Sequence, residues 1–149
     1  MTQQPRSSTH PDLAYERLWA LPLPHEADSV PLARAIVKQV LHTLGDPVDC
    51  FAASLAATEL VANALEHTPD DGDVELVLGW EGQGFRIEVC DAEPLDLVLE
   101  DLLHEPSPEP PGEPAEDGRG LLIIRSVADR AGIRTTSHGK AVWCLLESA

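Results

Sequence analysis

Apolar residues return at helical spacing in two adjacent stretches in the first half of the chain. Ala33, Ile36, Val37, Val40, Leu41 and Leu44 recur three or four positions apart, after Asp28, Ser29 and Pro31 and before Gly45. That pattern predicts an amphipathic helix with a start signal and a glycine stop. A second helix is predicted from about Asp49 to His67, with Phe51, Leu55, Ala62 and Leu65 on its apolar side and Ala52, Ala56, Glu59, Asn63 and His67 along another line. The spacing then shortens. Val74 to Leu78 and Phe85 to Cys90, split by Glu81-Gly82-Gln83-Gly84, read as a β-hairpin, and Arg17 to Pro22 reads as a short edge strand after a loose leader over residues 1–16. Further on, Gly118-Arg119-Gly120 opens a third helical pattern through Leu121, Ile124, Val127, Ala128 and Ala131, closed by Gly132, and a last strand is predicted around Ala141 to Leu146. Strand, helix, helix, hairpin, long connection, helix and strand lack regular βαβ alternation. The order points to an α+β sandwich, a largely antiparallel sheet with helices on one face.

Between the hairpin and the third helix the composition changes. Residues 93–117 carry six prolines, nine carboxylates and no Lys or Arg, which predicts an extended, mobile connection with at most a brief helix over Leu95 to Leu103.

The length of 149 residues fits one domain, here 17–149, and a hydrophobic fraction of 43% supplies a core in which Ala, Leu and Val must do most of the filling, because aromatic residues are only 4%. Ten basic residues against 26 acidic ones give a net charge of −16, a field that repels phosphate backbones and anionic lipid. Direct nucleic-acid or membrane-surface binding is therefore not expected, and any role in transcription regulation would run through a protein partner. Cys50, Cys90 and Cys144 form no metal-type pair, and the chain shows neither an export signal nor a membrane span, so a reduced, cytoplasmic location is expected.

Three stretches could carry chemistry. Glu59, Asn63 and His67 share one helical stripe, where a carboxylate can take a proton and an amide oxygen can ligate Mg²⁺, an ion that prefers oxygen donors; a plain solvated helix face is the competing reading. Asp91 ends an apolar strand, placed either to accept a hydrogen bond from an amino group at a cleft mouth or simply to form a turn. Gly118-Arg119-Gly120-Leu121 leads into a helix, so its backbone could approach an anion closely, although the spacing is neither that of a P-loop nor that of a dinucleotide fingerprint. The histidines show no metal spacing, and Trp19, Trp80 and Trp143, all on predicted strands, suit packing better than ligand stacking.

Taken together and in this order, these stretches resemble the Bergerat-type ATP-binding fold of the GHKL family, shared by gyrase, histidine kinases, the heat-shock chaperone and mismatch-repair ATPases. Over residues 17 to 147 the chain looks most like the RsbW-like anti-sigma factors, small serine-protein kinases, of the short actinobacterial type. Glu59 to His67 looks like the N-box, Asp91 like the adenine-binding aspartate, and Gly118-Arg119-Gly120 like the second glycine box, while Gly139 to Trp143 is similar to the closing strand. The resemblance implies that Asn63 ligates Mg²⁺ with the ATP triphosphate, that Glu59 is the base for a serine hydroxyl, and that Asp91 binds the adenine amino group. It further implies that Gly118, Arg119, Gly120 and Leu121 shape the phosphate loop and that residues 93–117 form the ATP lid. Its partners would be a sigma factor and an anti-sigma antagonist phosphorylated on serine, and a homodimer is compatible with it. Two departures stand out: Asp91-Ala92-Glu93-Pro94-Leu95 lacks both glycines of Asp-x-Gly-x-Gly, and a threonine often found beside the aspartate is either replaced at the matching place by Ala141 or lies elsewhere. These departures and the acidic connection imply weak nucleotide binding and favour, as the alternative, a non-catalytic nucleotide-binding or protein-sequestering module. A histidine-kinase fragment is a third reading, weakened because no phospho-accepting helix fits in the short polar leader.

Overall fold

The computed structural model describes residues 15–67, 74–92 and 116–147. Among these described residues, five strands and three helices follow in the order β1 (Tyr15–Leu23), α1 (Ser29–Thr43), α2 (Cys50–His67), β2 (Val74–Glu81), β3 (Gly84–Asp91), α3 (Glu116–Val127), β4 (Arg130–Thr135) and β5 (Lys140–Glu147). The strands form one sheet of order β1-β2-β3-β5-β4, and all four pairings are antiparallel. The α+β expectation holds. The connection 93–115, with its proposed lid and the brief helix at Leu95 to Leu103, lies outside the described residues, as does most of the leader; Tyr15 and Glu16, assigned to that leader, belong to β1.

Side-chain alternation divides the sheet into two unlike faces. Leu76, Leu78, Phe85, Ile87, Val89, Val142, Cys144 and Leu146 point to the helices and join the hydrophobic core with Ala33, Val37 and Leu41 of α1, Leu60 and Val61 of α2, and Ile124 of α3. The opposite face carries Val77, Glu81, Arg86, Glu88, Ala141, Trp143 and Leu145. Here the charges are buried with partners. Arg86 donates to Glu81 at 2.6 Å and to Glu88 at 3.2 Å, Arg134 reaches Glu88 at 2.8 Å, and the Arg86 guanidinium lies 4.3 Å from the centre of the Trp143 ring.

The helix boundaries follow local rules. α1 ends in a Schellman motif: Gly45, at φ 86°, donates to His42, and Asp46 donates to the Leu41 carbonyl. Asp49 caps α2, its Oδ1 accepting from the backbone N–H of Phe51 at 2.9 Å and of Ala52 at 3.3 Å. In the β2–β3 hairpin only Gly82 of the two loop residues has positive φ, at 63°.

Two expectations need correction. The buried side of α2 is Ala53, Ala56, Ala57, Leu60, Val61 and Ala64, whereas Phe51 is 74% exposed and Leu55, Ala62 and Leu65 are half-buried. Because α2 packs against the sheet, α1 and α3 at once, small residues take the crowded sides and the larger ones are turned toward its margins. The second correction concerns the third helix, which stops at Val127; Ala131 and Gly132 lie in β4. Gly132 is not a helix stop. It faces the Trp143 indole so closely that a Cβ would come within 2.7 Å of the ring.

Candidate functional site

α2 lies at the centre of the site, in contact with β2, β3, β5 and α3, so the elements that carry the sequence-derived candidates meet around it. Glu59 and Asn63 stand one turn apart on this helix. Asn63 is only 6% exposed, and among the described residues its Oδ1 has no hydrogen-bond partner. An amide oxygen left in that state is costly, by roughly 1–3 kcal/mol, unless something outside the chain satisfies it. The one other buried side-chain atom without a hydrogen bond among the described residues is Arg86 Nε, in a guanidinium that is otherwise bonded and stacked on Trp143. Asn63 has no comparable compensation.

Glu59 is half-buried, and loss of hydration raises its carboxyl above the ordinary value of 4.5. A carboxylate shifted in that direction is a better proton acceptor near neutral pH than a fully solvated one. The neighbouring Thr58 hydroxyl donates to the Ser54 carbonyl and accepts from Arg34 on α1, which ties this part of α2 to its neighbour. The side chain of His67 lies outside the described residues.

Asp91 ends β3 on the helix-facing side of the sheet and is 5% exposed. Its carboxylate is engaged. Lys140, the first residue of β5 and directly opposite in the strand register, places Nζ 3.0 Å from both Oδ1 and Oδ2. Ala141, one of the places matched to the threonine beside the aspartate, pairs with Cys90 and belongs to the other face. Sequence reasoning missed Lys140. A lysine between a glycine and the start of the predicted last strand was the available signal, and only the register shows which residue it meets.

Gly118, Arg119, Gly120 and Leu121 fall inside α3, which begins two residues earlier than the glycines suggested, at Glu116. The structure describes the backbone there and not the side chains. Of the four, Gly118 and Arg119 fall among the first four residues, whose N–H groups lack partners within the helix and can face an anion; Gly120 and Leu121 lie in the next turn.

An orphaned, buried amide oxygen suits Mg²⁺, which takes few protein ligands and completes its shell with water and phosphate oxygens. No cluster of three or more His, Cys, Asp or Glu suited to a metal occurs among the described residues, so a metal held by a protein cage does not fit them. At the base end, Asp91 has the right chemistry to accept from an amino group, and Lys140 already draws on it. No helix among the described residues is long and apolar enough to cross a membrane.

The chain matches the histidine kinase-like ATPase domain family over residues 23–145. Among solved structures it is similar to the nucleotide-free catalytic domain of the histidine kinase ThkA, with a TM-score of 0.55 and 13% identity, over 91% of this chain and 96% of that one. No curated protein matches the sequence significantly. The family match spans most of the chain, so this protein belongs to the histidine kinase-like ATPase domain family and is a GHKL-type ATP-binding domain with the Bergerat α+β fold.

Proposed function

We propose that this domain is an anti-sigma-factor-like serine-protein kinase, which binds a sigma factor and, using Mg-ATP, phosphorylates an antagonist protein on serine. The observation that carries the nucleotide site is the partnerless buried oxygen of Asn63, one turn from a half-buried carboxylate on the central helix of an ATPase-family fold. In this reading Asn63 holds the metal, which when bound neutralises the phosphate charge. Glu59 takes the proton from the serine hydroxyl as the serine oxygen forms its bond to the γ-phosphorus and the bond to the departing diphosphate breaks. Most of the acceleration comes from positioning and charge neutralisation, with Glu59 adding ~10² to 10⁴ as a base.

The test has two arms. Calorimetric titration should show Mg²⁺-dependent ATP binding that is lost in Asn63→Ala. With γ-labelled ATP and candidate antagonist proteins of the host, label should appear on serine with the parent protein and disappear with Glu59→Ala, while the ATP affinity of that variant stays near the parent's. A tenfold loss of affinity in Glu59→Ala would make the residue metal-linked or structural. The Asp91–Lys140 pair favours a second reading, a module that sequesters its protein partner without catalysis. Nucleotide binding without transfer to any antagonist would select it.

A further inference from the structure

Lys140 is one of only two lysines in the chain, and it is 2% exposed, an unusual state for a lysine unless a partner holds it. Its partner is the carboxylate that would have to accept the adenine amino group. The backbone fixes this arrangement from both sides. Gly139 approaches the Asp91–Ala92 segment so closely that a Cβ would lie 2.2 Å from the Asp91 carbonyl oxygen. Thr136 locks the turn before it, its N–H donating to the Gly139 carbonyl and its Oγ1 accepting from the Gly139 N–H, both at 2.9 Å. The strand register therefore holds the two residues opposite each other, and separating their charged groups requires a side chain to move.

We propose that Lys140 is a resident competitor in the base pocket, an affinity-determining residue whose ammonium must leave Asp91 before an adenine amino group can bond to it. The inference rests on the nucleotide-binding reading above. Two charge-assisted bonds from an ammonium are each about twice as strong as a bond from a neutral donor, so the exchange disfavours the nucleotide. The lysine that leaves also gives up a buried countercharge. Low ATP affinity in this chain then stems from Lys140 and not only from the glycines missing after Asp91.

The experiment compares calorimetric titrations of Mg-ATP into the parent, Lys140→Met, and Lys140→Met combined with Asp91→Asn. Methionine keeps most of the apolar length and removes the ammonium. Binding should tighten about tenfold or more in Lys140→Met, from replacing two charge-assisted competitor bonds, and the gain should vanish in the double variant. If Lys140→Met binds no tighter than a parent whose own binding is measurable and depends on Asn63, the competitor role is overturned and the nucleotide site stands. If neither protein binds Mg-ATP, the nucleotide reading falls and the inference with it. Should Lys140→Met fail to fold, acylation of the unmodified protein, followed by mass spectrometry, gives the same answer. Lys38, exposed on α1, is the internal reference. Mg-ATP should raise the labelling of Lys140 relative to Lys38; unchanged or reduced labelling overturns the proposal.

Discussion

Two regions of this molecule bury polar side chains, and they treat them in opposite ways. On the face of the sheet away from the helices, Arg86 and Glu88 sit beside neighbours that answer their charge: Arg86 meets Glu81, Glu88 and the Trp143 ring, and Glu88 also meets Arg134. On the helix side, Asn63 is buried almost as deeply and its oxygen has no partner among the described residues. A group that serves the fold arrives with its partner, because an unanswered buried charge would unfold a domain of ordinary stability. A group kept for a ligand can be left unanswered, at a tolerable penalty, until the ligand supplies the missing contact. Asp91 stands between these cases, since it has the position of a ligand group and the partner of a structural one.

The largest effect that could break this comparison lies in the network. Arg86→Met removes the cation shared by Glu81 and Glu88, and loss of one member of a buried ion pair typically costs about 3–5 kcal/mol, to be read as a lowered midpoint in urea unfolding. Replacing Arg86 and Glu88 together with apolar residues should recover a good part of that loss, because Arg134, which is 44% exposed, can turn to water. Asn63→Ala should do the reverse. Removing an orphan acceptor leaves stability within about 1 kcal/mol of the parent or raises it, while Mg²⁺-dependent ATP binding disappears. A large loss of stability in Asn63→Ala would show that the amide is structural.

The pH dependence sharpens the contrast, because two carboxylates shift in opposite directions. Burial pushes Glu88 up, but the hydrogen bond from Arg134 and the charge of Arg86 outweigh it and hold the carboxyl below its ordinary 4.5. A depressed folded value means that the unfolded chain binds the proton first, so the Glu88 contribution is complete above about 4.5 and is lost as the pH falls through the lower folded value. For Glu59, raised by burial, the sign reverses: its contribution is complete below 4.5 and is lost as the pH rises through the higher folded value. Urea unfolding across acid pH should therefore show a steep acid loss that flattens in Arg134→Met. In phosphotransfer, the acid limb of the rate profile should lie above 4.5, because protonation of Glu59 removes the base.

How much of this was legible in the sequence depends on whether the deciding contact was local. The stop of α1 at Gly45, the start of α2 near Asp49 and the hairpin at Gly82 each need only a few consecutive residues, and each was readable. The Glu59–Asn63 stripe was readable too, because helical spacing alone puts the two on one side. The Lys140 partner and the buried face of α2 depend on strand register and on three neighbours at once, information that no local window holds. β4 was hidden for a related reason: Ala128, Ala131 and Gly132 continue a helical pattern, and tertiary pairing with β5 overrides it.

The smallest expected effect tests whether stability and ligand binding are separable along a single helix. Asp49 caps α2 from outside, at the end away from Glu59 and Asn63, and its carboxylate answers two N–H groups in water. Asp49→Ala should cost about 1 kcal/mol of unfolding free energy, the usual value for such a cap. Fraying of the first turn releases Phe51, which is already exposed, and leaves the core contacts of Leu60 and Val61 in place. Mg-ATP affinity should then stay within about twofold of the parent, less than the roughly tenfold that 1.4 kcal/mol would produce. If affinity instead falls in step with stability, α2 responds as one rigid unit, and the poised state of Asn63 depends on the whole helix and not on its own turn.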